Sequence, residues 1–155
     1  MHLETSISSL YEKDFHAWTR EQADLLRERQ WNRIDVENLI EEIESLGKQQ
    51  RQELRNRLGV LLAHLLKWEY QPRKRSRSWL ATIRLQRRDI LRLLKANPSL
   101  NSYIEEALSE AYHDARDLAM GETNLSDRTF PVERPYPWEN IIAEDFFPGE
   151  PDTLS

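Results

Sequence analysis

The chain has 155 residues, of which 39% are apolar and 32% charged, with a formal net charge of −5. That composition suits a single domain with a real core and is too rich in aliphatic residues for disorder. There is no cysteine, which excludes disulfides, thiolate metal sites and cysteine nucleophiles. No apolar run approaches the roughly 20 residues of a membrane helix, and the N-terminus, MHLETSISSLYEKD, lacks the basic flank and apolar stretch of a secretory signal. A cytoplasmic location without a membrane partner is therefore expected.

Residues 1–8 read as a lead-in. Ser9 with Glu12 fits a capping box, so a first helix is expected from about residue 10 to 30, with Tyr11, Phe15, Trp18, Leu25 and Leu26 on one face. Asp35 is the expected N-cap of a second helix. Val36, Ile40, Ile43, Leu54, Leu58, Leu61, Leu65 and Trp68 then keep a three-four spacing, interrupted only by the polar stretch Gly47–Gln52. A break at Gly47 competes with one long helix over 36–69. The long helix is preferred, because Gly47 and Gln50 stay on the apolar phase and no proline supports a turn. Gly47 would cost such a helix about 1 kcal/mol against alanine.

Pro72 stops the second helix, since the residue before proline is driven out of helical geometry. Ser76 or Ser78 caps a third helix over 78–95, with Trp79, Leu80, Ile83, Ile90, Leu91 and Leu94 on its apolar side. Asn97-Pro98-Ser99 is a stop and restart. A fourth helix over 100–120 carries many alanines, which predicts close packing, and Gly121 is its natural terminator. Beyond it the helical period is lost. Five of the seven prolines fall between Pro131 and Pro151, with aromatic-proline pairs at Phe130-Pro131, Tyr136-Pro137-Trp138 and Phe146-Phe147-Pro148, and a short helix is expected near 138–145 behind Pro137. The expected fold is thus all-α: a bundle of four main helices, the second one long, wrapped by a proline- and aromatic-rich tail.

Charge is unevenly placed. From Lys67 to Lys95 there are ten basic and two acidic residues, a net of +8, which leaves −13 elsewhere to make the total of −5. Arg73, Lys74, Arg75 and Arg77 lie in the turn before the third helix. Arg84, Arg88 and Arg92 recur every fourth residue along that helix, with Arg87 beside them. Such a stripe can track phosphates, with Trp79 placed to stack a base. The plainer reading pairs these arginines with acidic residues of the same chain, and a pI near 5.5 argues against a dedicated nucleic-acid binder.

Several blocks resemble the bacterial family known as domain of unknown function 29. They are YEKDFHAW (Tyr11–Trp18), DVENLIEEIESLG (Asp35–Gly47), LLAHLLKWEYQP (Leu61–Pro72) and SRSWLATIRLQRRDI (Ser76–Ile90), followed by NPSL (Asn97–Leu100), the Tyr112 region and the late Phe130–Pro148 tail. The resemblance spans nearly the whole chain. It implies an all-helical domain and carries no activity, so no catalytic residue is transferred. The polar positions inside the matching blocks are Asp14, Glu41, Glu42, His64, Lys67, Gln71, Ser78, Thr82 and Arg87.

Chemistry has few candidates. Glu41 and Glu44 share a helix face and would bind a hard cation only with a further ligand; otherwise they solvate the surface. His64 sits among leucines, where a histidine is usually a satisfied core residue. A continuous second helix would hold it about 35 Å from Glu41. Phosphate-loop, nucleophile-triad and metal-binding histidine signatures are absent. No metal or other cofactor is expected. The leading expectation is a non-catalytic module that binds a protein partner or itself. The alternatives are nucleic-acid or phosphate binding through Arg73, Lys74, Arg77, Arg84, Arg87, Arg88 and Arg92, and a metal-assisted hydrolase using Asp14, Glu41 and His64.

Overall fold

A computed structural model describes residues 10–151 and 154. Four main helices account for most of it, and no strand occurs among the described residues. None of these helices is long and apolar enough to cross a membrane. The chain divides into two compact units, one ending at Gln49 and the other beginning at Gln50.

In the first unit, Leu10–Lys13 forms one helical turn that breaks at Asp14. Asp14 is the working N-cap: its carboxylate accepts from the Ala17 amide at 3.0 Å and starts α1, Phe15–Arg27. Ser9, the cap expected from sequence, lies outside the described residues. The helix ends earlier than its pattern suggests because Arg29 adopts a left-handed conformation, φ 55°. The Gln30 amide then donates to the Leu25 carbonyl and Arg29 to Leu26, closing a Schellman turn. Trp18 is buried and its indole donates to Asp35 at 3.0 Å, while Tyr11 and Phe15 pack against its ring. Asp35 also accepts from the Asn38 side-chain Nδ2, and its own N–H is held by the Gln22 side chain. That network fixes where α2 begins.

The second helix, α2, is continuous from Val36 to Tyr70 and passes straight through Gly47. In the second unit its later half is the core. Leu54, Leu58, Leu61, Leu62, Leu65, Leu66 and Trp68 are fully buried, each leucine contributing about 2 kcal/mol by removal from water. Pro72 ends the helix in a short 3-10 turn. Ser76, one of the two expected caps, accepts from the Trp79 amide at 3.2 Å and opens α3, Arg77–Ala96. A 3-10 run over Pro98–Tyr103 delays α4, Ile104–Glu122. The fourth helix therefore starts later than residue 100, and it continues past Gly121 because Glu122 is anchored by the Lys67 ammonium at 2.5 Å. The alanines of α4 serve close packing: a Cβ on Gly59 of α2 would stand 3.8 Å from the Ala111 carbonyl.

The tail wraps this unit. Phe130 packs edge-on against Tyr70, Tyr112 donates to the Pro131 carbonyl at 2.5 Å, and the Tyr136 hydroxyl reaches Glu69 at 2.6 Å. A short helix, α5, covers Trp138–Ile142 with Pro137 at its start. Phe147 then settles on the Trp68 ring.

Candidate functional site

The third helix has two distinct basic faces. Ile83, Arg87, Ile90 and Leu94 share one phase, and all are buried; Arg84, Arg88 and Arg92 share another, and all are exposed. Arg87 thus points inward and meets the tail. It donates to the carbonyls of Ile141 at 2.8 Å and Phe146 at 2.7 Å, with longer contacts to Glu144 and Asn140. Its guanidinium lies over the Phe147 ring. No carboxylate among the described residues pairs with it. Burial lowers its pKa to about 10, only partly opposed by the charge of Asp145. The planar fork of arginine is what allows one side chain to serve several carbonyls.

Arg75 does the same at the other end of the hairpin. It is buried over the Trp68 ring and donates to the carbonyls of Trp68, Pro148 and Pro151. The sequence places it in the turn before the third helix. No sequence signal marked its burial, because the Pro148 and Pro151 carbonyls it holds lie 73 and 76 residues downstream. Arg116 completes the set, holding the carbonyls of Phe130 and Asp127.

Above Arg87, α3 and the tail enclose an open groove of about 1030 Å³. Leu91, Ile142 and Phe147 supply apolar walls. Arg84 and Arg88 line one side, and Glu144 and Asp145 are also present. Arg84 and Arg88 make no ion pair or hydrogen bond among the described residues. Arg73, Lys74 and Arg77 are exposed and likewise unpartnered there. Arg92 is different, since it pairs with Asp89 at 3.2 Å, and Asp89 also takes Arg57 at 3.1 Å. So Arg84 and Arg88 are brought to one groove, Arg87 lies beneath it, and Arg73, Lys74, Arg77 and Arg92 do not line it.

The three residues considered for catalysis have other occupations. Asp14 caps α1 and Glu41 is exposed on α2 in the first unit. In the second unit, His64 Nδ1 lies 2.8 Å from the Val60 carbonyl, which can only accept, so Nδ1 carries the proton. Burial pushes the His64 pKa below its ordinary value. Among the described residues no three His, Asp or Glu side chains gather in a way that could hold a metal ion.

The first unit holds a second feature. Val36, Ile40, Ile43 and Leu46 on α2 are 54%, 51%, 66% and 59% exposed. Val36, Ile40 and Ile43 share the helical phase of Leu54, Leu58 and Leu61, which are fully buried further along the same helix. One face of one helix is core over its later half and bare over its earlier half.

These features define an all-α helical protein whose conspicuous surfaces are a mixed-charge groove and an uncovered apolar helix face. The chain belongs to the family described as Domain of unknown function DUF29, whose model matches residues 10–147. No curated protein and no solved structure matches the chain.

Proposed function

We propose that the chain is a cytoplasmic, non-catalytic helical module that binds protein, and that the first half of α2 is its contact surface. The supporting observation is the exposure of Val36, Ile40 and Ile43 on a helix face that is otherwise core. The first unit buries only Trp18, Leu25 and Gln22 among its described residues, too few to stabilise a helix pair alone. Several adjacent exposed aliphatics ringed by acids mark an interaction surface rather than ordinary surface variation. The test is a photo-crosslinking residue placed at Ile40 or Ile43 in intact cells, with a control at exposed Glu139. A discrete adduct from the α2 positions and none from Glu139 is expected; no adduct from either α2 position would overturn the reading.

A second reading is phosphate or nucleic-acid binding. It draws on five exposed cations without partners among the described residues: Arg73, Lys74, Arg77, Arg84 and Arg88. Binding of this kind weakens steeply with salt. A mobility shift of a single-stranded RNA at low salt, lost in an Arg84→Glu/Arg88→Glu double variant, is its expected result. Equal mobility with the native protein and the double variant would end it.

A further inference from the structure

The net charge of the chain is confined to one of its units. Residues 1–49 hold six basic and eleven acidic residues, a net of −5; residues 50–155 hold sixteen of each, a net of zero. Within the acidic unit, Glu37, Glu41 and Glu44 run along one flank of the bare α2 stripe, and none has a partner among the described residues. Glu37 and Glu41 are one helical turn apart, about 6 Å along the axis. In the other unit Arg84 and Arg88 have the same spacing, also without partners. Beside them, Leu91 is half exposed at the groove, with Ile142 and Phe147 behind it. The α2 strip is thus flanked by acids and the α3 side of the groove by arginines, both at four-residue spacing and opposite in sign.

We propose that the α2 segment Val36–Leu46 of one copy of the chain lies in the Arg84–Arg88 groove of a second copy. Each chain carries both halves of the contact. The assembly proposed is the reciprocal pair, in which two copies about a two-fold axis form the contact twice. Glu37 and Glu41 pair with the two arginines, while Val36, Ile40 and Ile43 cover Leu91, Ile142 and Phe147. Glu144 and Asp145 at the same groove repel a continuous polyanion, whereas the α2 segment, though acidic, brings an aliphatic face for Leu91, Ile142 and Phe147. The proposal rests on the reading of α2 as the contact surface and names its partner.

The test is sedimentation velocity on the full chain over a concentration series. The native protein is expected to dimerise. An Arg84→Glu/Arg88→Glu variant and a Glu37→Lys/Glu41→Lys variant, each checked for native helicity by circular dichroism, should each dissociate at concentrations at least about tenfold higher. Mixed together they should form a heterodimer, because one contact then keeps its native sign and the other is restored with reversed sign. A native chain that stays monomeric, a dimer indifferent to both variants, or variants that fail to associate on mixing would overturn the proposal. A purified monomer that still gives an adduct at Ile43 with a different protein would remove the second copy and leave the interaction reading intact. A monomer that shifts RNA through Arg84 and Arg88 would point to the phosphate reading instead.

Discussion

The Arg87 guanidinium and the Phe146 carbonyl, 59 residues apart in the chain, meet at 2.7 Å. That bond is one of several by which a single buried cation of α3 holds down the last irregular segment. A tail without a regular hydrogen-bond ladder must satisfy its carbonyls elsewhere. Here Arg75, Arg87 and Arg116 satisfy them.

Replacing Arg87 removes those donors together. Arg87→Met should destabilise the protein by about 3 kcal/mol in urea unfolding, since buried carbonyls lose their partners. Arg87→Lys should recover only part of the loss, because a point donor cannot reach carbonyls on several sides. Limited proteolysis should cut the tail after Pro137 faster in both variants. An Arg87→Met protein as stable as the native one would mean the clamp contributes nothing.

Two glycines should respond with opposite sign. Gly149 has φ +86°, and a Cβ there would meet the Glu69 backbone at 3.2 Å. Gly149→Ala should therefore cost about 1–2 kcal/mol. Gly47 lies in the interior of α2 with nothing within 4 Å of its would-be Cβ. Gly47→Ala should stabilise by about 1 kcal/mol. Thermal melts of the two variants read both effects.

Arg29 supplies a third backbone prediction. It holds the left-handed position of the α1 Schellman turn, φ 55°, where glycine is at ease and a branched side chain is strained. Arg29→Gly should raise stability by roughly 0.5–1 kcal/mol. Arg29→Val should lower it by more than that, again by urea unfolding.

The His64 pKa is held below its ordinary value chiefly by burial, and Lys67 adds to the effect. In the folded state His64 therefore binds its proton later, as pH falls, than it does unfolded. Stability should be complete above the unfolded value of about 6.5. It should fall as pH drops below that, levelling off only once the folded histidine is itself protonated. A His64→Gln variant should flatten the stability profile between pH 7 and pH 5. An unchanged slope in that variant would assign the acid loss to other groups.

The helices and the long aliphatic run were legible in the residues, because a 3.6-residue period, a serine cap at Ser76 and a proline stop at Pro72 act within a few residues of one another. The continuity of α2 through Gly47 was legible for the same reason: the apolar phase does not slip across it. Even the inward turn of Arg87 left a trace, a cation on the phase of Ile83, Ile90 and Leu94. What that cation binds left none. The carbonyls it serves belong to a segment with no repeat, more than fifty residues downstream, and a side chain's partner at that range is set by how the chain returns on itself. The same holds for the bare stripe of α2. Its pattern matches that of Leu54–Leu65, and only tertiary packing decides that the later half is covered while the earlier half is left to water.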